Sequence, residues 1–267
     1  MVSLSNIFRA ENRYLLKEMI RTNFKLRYQG SVLGYLWSLL KPMFMFGILY
    51  LVFTQFLRFG EEVPNFAVSL LLGIVLWTFF SEATINSLSS IVEKGDLIRK
   101  IKIPRYTIVL ASVAIAGINL ILNIGVVMAF ILISGISLTW SSLLFPLLLA
   151  ELLIITTAVS FFLSAAFVRF RDISYIWEVM LQGMFYLVPL LYPLSMIPNE
   201  LARKFIMLNP LAQIVQDSRA VLTHSGTTTV YDIFSVFWVV PFIIIVVMVV
   251  VSTLFFKKES INFAENV

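Results

Sequence analysis

Six stretches of this 267-residue chain stay apolar for about the length that a bilayer crossing needs, at roughly 33–57, 66–91, 106–133, 143–168, 173–191 and 233–256. A helix rises 1.5 Å per residue, so ~30 Å of hydrocarbon takes about 20 residues. Inside hydrocarbon the backbone must satisfy its own N–H and C=O groups, which for runs of this length leaves the helix as the spanning form. The fifth stretch is short and runs into a proline-rich segment. Charge is correspondingly scarce: 13% of residues are charged and 60% are hydrophobic, where a soluble domain carries about 25% charged. The expected fold is an all-α polytopic membrane protein, one domain with six transmembrane helices in a core over 33–256.

The twenty Lys and Arg residues are unevenly placed. Sixteen fall before the first stretch, at its start, in the second and fourth connections, or after the last stretch. Arg58, Arg203, Lys204 and Arg219 are left for the other side. Basic residues concentrate on the cytoplasmic side of short loops, so both termini are expected in the cytoplasm, in agreement with an even number of crossings. The net charge of +5 then reflects topology and contact with anionic lipid heads rather than nucleic-acid binding. Residues 1–29 are charged throughout and lack the apolar core of a secretory signal peptide.

Within residues 1–30, Arg9, Arg13, Lys17, Arg21 and Lys25 recur every four residues, while Phe8, Leu15, Leu16, Met19, Ile20 and Phe24 fall on another face. This spacing predicts an amphipathic helix in the membrane interface, either a simple anchor or a lever that also touches a partner. The segment 189–229 holds Pro189, Pro193, Pro198 and Pro210 between apolar pieces too short to cross. Proline stops or kinks helices, so re-entrant helices at the outer face between spans five and six are expected. Residues 257–267 form a cytoplasmic tail.

Catalytic patterns are missing. The chain has no cysteine and a single histidine, His224, read as a solvated loop residue rather than a metal ligand. None of the eleven glycines precedes a lysine, so there is no Walker A loop, and ATP used by this protein would be bound by a separate chain. Three carboxylates lie within the apolar stretches: Glu82, Glu151 and Glu178. An intramembrane ionisable group is a functional candidate by default. Glu151 is the deepest, with no Lys, Arg or His expected at its level, and is read either as an ion-coupling site or as a hydrogen-bonded packing residue. Phe46, Tyr50 and Phe53 form one stripe of the first span, and Trp77, Phe79 and Phe80 cluster in the second. Such aromatics serve as packing or lipid-facing surface, or as a channel wall whose broad faces let a glycan slide.

Several strings then converge. Lys25-Leu-Arg-Tyr-Gln-Gly-Ser-Val-Leu-Gly-Tyr-Leu-Trp-Ser-Leu-Leu-Lys-Pro42 joins the first helix to the first span. Phe79-Phe-Ser-Glu82 and Ser90-Ile-Val-Glu-Lys-Gly-Asp-Leu-Ile-Arg-Lys-Ile-Lys-Ile-Pro-Arg105 follow, and then Arg169-Phe-Arg-Asp-Ile173, Tyr192-Pro193 and Leu208-Asn-Pro210. In this order the chain resembles the permeases of type-2 ABC exporters, in the branch that exports O-antigen, teichoic acid and related polysaccharides. It departs at Ile103, where an aromatic before the Pro-Arg pair is common. The resemblance implies a homodimer, two copies of a separate ATPase that holds ATP and Mg, and a lipid-linked polysaccharide as cargo in a bacterial plasma membrane. It implies that 91–103, with Glu93, Asp96, Leu97, Ile98, Arg99 and Lys100, is the coupling segment. Arg13, Arg21, Lys25 and Arg27 would lie on a gate helix and meet a carrier pyrophosphate. Phe46, Tyr50, Phe53, Trp77 and Phe80 are the candidate channel lining, and no cofactor or metal is expected in the chain itself.

Three other readings remain open on the residues alone. An ion-coupled secondary transporter would rest on Glu151. A membrane-embedded lipid- or glycan-modifying enzyme would need an acidic or histidine cluster at one interface. A membrane scaffold would leave the charged 94–105 connection without a docking role.

Overall fold

The computed structural model describes residues 10–30, 33–58, 63–100, 103–223, 228–235 and 238–263, and the expectations for Phe8, Arg9, Lys102 and His224 lie outside them. The described residues are helical throughout, without a strand. Helix α1 is Ala10–Tyr28. A short 3₁₀ turn, Gly34–Leu36, leads into α2, Trp37–Leu51, which widens into a π turn at Val52–Phe56. Next come α3, Phe66–Glu93, the short α4, Gly95–Lys100, and α5, Tyr106–Ile133. Helix α6, Phe145–Arg169, follows a 3₁₀ turn at Trp140–Leu144, and α7 is Ile173–Leu187. Helices α8 (Glu200–Met207), α9 (Pro210–Thr223) and α10 (Val230–Phe234) precede α11, Val240–Glu259.

Among the described residues, five helices are long and apolar enough to cross a membrane: Gly34–Phe56, Phe66–Glu93, Tyr106–Ile133, Trp140–Arg169 and Val240–Glu259. The sixth expected crossing is shorter than its apolar run. Its helix α7 has 15 residues, about 22 Å at 1.5 Å per residue. The last span also starts later than its apolar run. Thr229 and Asp232 form a reciprocal capping box that nucleates α10 as a separate helix. The chain then turns at Ser235, with φ of +48°, and α11 restarts with Pro241 in its first turn, where a missing N–H costs nothing.

Helix α3 is the axis of the bundle, with buried residues along nearly its whole length. It packs against α2, α5, α6, α7 and α9. The buried faces of α3 and α6 carry small hydroxyl residues, Thr84, Ser87 and Ser90 on one and Thr156, Ser160 and Ser164 on the other. Small side chains let helices approach closely where no hydrophobic effect separates protein from lipid. Helix α2, by contrast, buries little beyond Pro42. Pro42 has no N–H to give to the Ser38 carbonyl one turn earlier. The Nδ2 of Asn123 on α5 donates to that carbonyl at 3.2 Å, so the kink is satisfied by a neighbour.

Both terminal segments meet at one end of the bundle, which carries most of the basic residues. Met19 of α1 joins Ile91, Ile98, Val109, Val168, Phe256 and Phe263 in one apolar cluster there. Arg105 NH1 donates to the carbonyl of Ser260, and Arg169 lies 3.9 Å from Glu259. Helix α1 runs lengthwise along α5 from this end. Its Asn12 donates to the Tyr106 hydroxyl at 3.2 Å, and fifteen residues on, Arg27 reaches Glu82, which also accepts from Asn119 of α5.

Candidate functional site

Three polar features stand out against this apolar frame. The first is α4 and its flanks at the basic end. Ile98 is buried in the shared cluster and Gly95 is buried beneath the turn, while Glu93, Asp96, Arg99 and Lys100 are exposed and Leu97 is half-buried. Asp96 and Arg99 pair with each other at 3.1 Å across one turn, a solvated pair worth little stability by itself. The short helix is anchored by one apolar side chain and presents the rest of its charged surface outward. It forms an exposed, charged knob at this end of the bundle.

The second feature is a polar layer where α1, α2, α3 and α5 converge. Glu82 Oε1 accepts from Arg27 NH1 at 2.5 Å and from Asn119 Nδ2 at 2.9 Å. Arg27 keeps 38% of its side chain exposed and Glu82 only 18%. Lys94 Nζ donates to Asn23 Oδ1 at 2.8 Å, tying α1 to the segment beside the knob. Arg13, Lys17, Arg21 and Lys25 are exposed along α1, while Leu15, Leu16, Met19 and Ile20 turn toward protein. Of the basic residues expected to act together on this helix, Arg27 forms an ion pair within the described residues, and the sequence signal for it was Glu82 within a span.

The third feature lies at the opposite end. Helix α9 is buried on nearly all its faces. Asn209 Oδ1 accepts from Leu211 N at 3.0 Å and starts the helix, and Pro210 follows at its first position. Arg219, expected on sequence as an outer-loop charge, is 4% exposed. Its guanidinium donates to three backbone carbonyls: Ser69 at 3.1 Å, Pro189 at 2.6 Å and Leu190. Burial lowers its pKa to about 10, so it is still a cation at neutral pH. A Cβ at Gly73 would stand 2.9 Å from Arg219 NH2, which explains a glycine inside the central helix. An arginine is therefore buried in this part of the bundle, with carbonyls rather than Glu151 as its partners.

Glu151 has neighbours that the sequence reading missed. Gln213 lies in hydrogen-bonding reach of Glu151 and donates to Asp217 Oδ2 at 2.8 Å. Asp217 Oδ1 accepts the Val230 N–H at 3.1 Å, joining α9 to α10. Burial raises the Asp217 pKa, the hydrogen bonds from Gln213 and Val230 pull it down, and Asp232 nearby adds to the rise. Glu151 and Asp217 line a cavity of about 730 Å³ whose other walls, Leu147, Ile245 and Val249 among them, are almost all apolar. The missed signal was the i, i+4 spacing of Gln213 and Asp217 on a helix too polar for the lipid yet too apolar for a loop.

The aromatic candidates divide. Trp77 and Phe80 are inside the chain, with ring centroids 5.7 Å from Phe185 and 6.1 Å from Trp177 of α7. Phe46, Tyr50 and Phe53 lie along α2 at the periphery, with Phe46 stacked on Tyr50 at 5.6 Å and edge-on to Phe130 at 5.8 Å. The described residues hold no cluster of His, Cys, Asp and Glu fit for a metal.

The membrane-domain family of ABC-2 type transporters matches residues 14–223, from the middle of α1 to the end of the buried α9. The chain belongs to the ABC-2 type transporter family. Two O-antigen export system permease proteins RfbA of Klebsiella pneumoniae are 30% and 32% identical to it, each over 94% of both chains. One from Myxococcus xanthus is 31% identical over 78% of this chain and 80% of its own. Membership decides between the readings that the residues left open. This permease is the membrane component of an ABC transporter, neither a catalytic enzyme nor an ion-driven carrier, and ATP hydrolysis belongs to a separate subunit.

Proposed function

We propose that this permease exports a lipid-linked cell-surface polysaccharide of the O-antigen type across the bacterial inner membrane. The observation that carries the reading is the near full-length similarity to permeases named for O-antigen export. Two copies of the chain enclose the path, and two copies of an ATPase holding ATP and Mg dock beneath them. The α4 knob, with Asp96, Arg99 and Lys100 outward and Ile98 inward, carries the ATPase motion into the cluster shared by α1, α5, α6 and α11. Helix α1 is the gate helix at the inner interface, its Arg13, Arg21 and Lys25 attracting the carrier's pyrophosphate. Helices α8 and α9 re-enter from the outer face. The stripe of Phe46, Tyr50 and Phe53 on the thinly packed α2 supports a channel wall, whereas the burial of Trp77 and Phe80 favours packing for those two.

Both termini face the cytoplasm and α7 supplies the sixth crossing. The meeting of α1 and the end of α11 in one cluster supports this. Replacing 96–100 by Gly and Ser in cells lacking the native gene tests the function. The expected result is lost co-purification of the ATPase and loss of surface glycan, with the permease still in the membrane. Normal surface glycan, or surface glycan unaffected by deletion of the gene itself, overturns the reading.

A further inference from the structure

Arg27 is the most exposed member of a pair whose other member is nearly enclosed. Glu82 Oε1 accepts from Asn119 Nδ2 of α5 at 2.9 Å and from Arg27 NH1 at 2.5 Å. Asn119 is 4% exposed and ties Glu82 to α5, so Glu82 is the inner member of the pair and Arg27 the outer one. Arg27 is the next-to-last residue of α1, on a long side chain with 38% of its surface open. It can therefore turn away while α1 keeps its apolar contacts through Met19. Arg21 and Lys25 on the same helix are exposed and raise the local positive potential.

We infer that Glu82 is a specificity-determining competitor, which occupies Arg27 and yields it only to an anion stronger than a carboxylate. This rests on the proposed export of a lipid-linked glycan. An arginine fork binds carboxylate and phosphate in the same geometry, so the two ligands compete for one site. A singly charged phospholipid offers no more charge than Glu82 and meets a guanidinium already paired. A diphosphate on an isoprenoid carrier brings more charge and more acceptor oxygens to the same nitrogens, and it takes Arg27 from Glu82. The exchange removes the bond between the end of α1 and the bundle axis. Cargo thereby loosens the gate helix, while the bulk lipids that outnumber it do not.

The test uses the permease–ATPase complex in phosphatidylcholine vesicles, with three probes: undecaprenyl pyrophosphate, inorganic pyrophosphate, and phosphatidylglycerol mixed into the bilayer. Amide exchange over 12–27 and ATPase rate are read together. In the native protein, undecaprenyl pyrophosphate, and inorganic pyrophosphate at higher concentration, speed exchange at least five-fold and raise the ATPase rate, and phosphatidylglycerol does neither. Glu82→Gln frees Arg27, so phosphatidylglycerol alone now stimulates the ATPase. Arg27→Glu combined with Glu82→Arg restores slow exchange, which shows a folded bundle, yet leaves no response to undecaprenyl pyrophosphate. A response of the swapped protein equal to native, release of native α1 by phosphatidylglycerol, or unchanged lipid selectivity in Glu82→Gln each overturns the filter. Surface glycan measured in the same strains separates the two failures: normal export by the native gene with unchanged selectivity in Glu82→Gln removes the filter alone, and no export by the native gene removes the function beneath it.

Discussion

Arg219 and Asp217 show how much a single side chain decides in the outer half of this permease. Arg219 closes three backbone carbonyls at the point where α7 ends and α3 passes by, and Gly73 provides its space. Gly73→Ala puts a methyl 2.9 Å from the guanidinium and 3.4 Å from the Leu190 oxygen. Overpacking of this kind costs about 1–3 kcal/mol, and a lower melting temperature of the purified protein is the expected reading. An unchanged melting temperature would show that Arg219 moves aside freely. Asp217 gives a pH signature. Its pKa is raised, first by burial, so the folded protein holds this proton more tightly than the unfolded chain. Stability contributed here is complete below the ordinary value of 3.8 and falls as pH rises from there through the raised value. Asn at 217 can still accept from Val230, so Asp217→Asn should flatten that part of the curve of melting temperature against pH. A slope equal to native would move the titration to another group. The sequence could not show either role. Arg219 reads only as a charge on the outer side until α9 folds inward, because burial of a short polar helix is a tertiary event without a periodicity of its own.

At the scale of elements, the long helices were legible and the short ones were not. Four of the five long spans start and stop within a few residues of their apolar runs, since a crossing needs little more than length and hydropathy. The capping box at Thr229 and Asp232 split the beginning of the last run away as α10, a local hydrogen-bond pattern overriding hydropathy. The packing of α1 lengthwise on α5 was hidden for a different reason. Lipid and protein offer the same apolar environment to Met19, and only polar contacts such as Asn12–Tyr106 tell them apart. Helix α4 is short enough that its two faces can be separated by mutation. Ile98→Ala removes a buried anchor and should cost roughly 2–5 kcal/mol, as large-to-small changes in cores do, with the melting temperature falling. Asp96→Ala combined with Arg99→Ala touches only an exposed pair and should leave melting within about 0.5 kcal/mol of native while weakening capture of the ATPase. Equal loss of stability from both variants would make α4 a structural cap and not a docking knob.

For the whole molecule, the count of crossings and the positions of the ends have to agree. Five helices have the length to span, and an odd number would send the termini to opposite sides. Yet Met19, Phe256 and Phe263 share one cluster, and Lys94, next to α4, reaches Asn23 of α1. Their meeting supports the proposed further crossing between α6 and α11, with α7 as the helix that makes it. Its Trp177 donates to Thr84 at 3.2 Å, and the Pro189 and Leu190 carbonyls that follow it meet Arg219 beside Gly73. Gly73 is seven residues into α3, about 10 Å from its outer end at 1.5 Å per residue. In the proposed topology α7 makes most of this crossing with its 15 residues, and α8 and α9 re-enter to fill the remaining depth. The native chain has no cysteine, so single cysteines report sidedness cleanly. Cysteine at Lys17, Arg99 or Lys258 should react with a membrane-impermeant maleimide only when the cytoplasmic face is opened, and cysteine at Leu201 or Tyr231, both exposed, should react in intact spheroplasts. If position 201 and position 99 label from the same side, α7 does not cross, and the gate, the knob and the outer helices cannot belong to one alternating path.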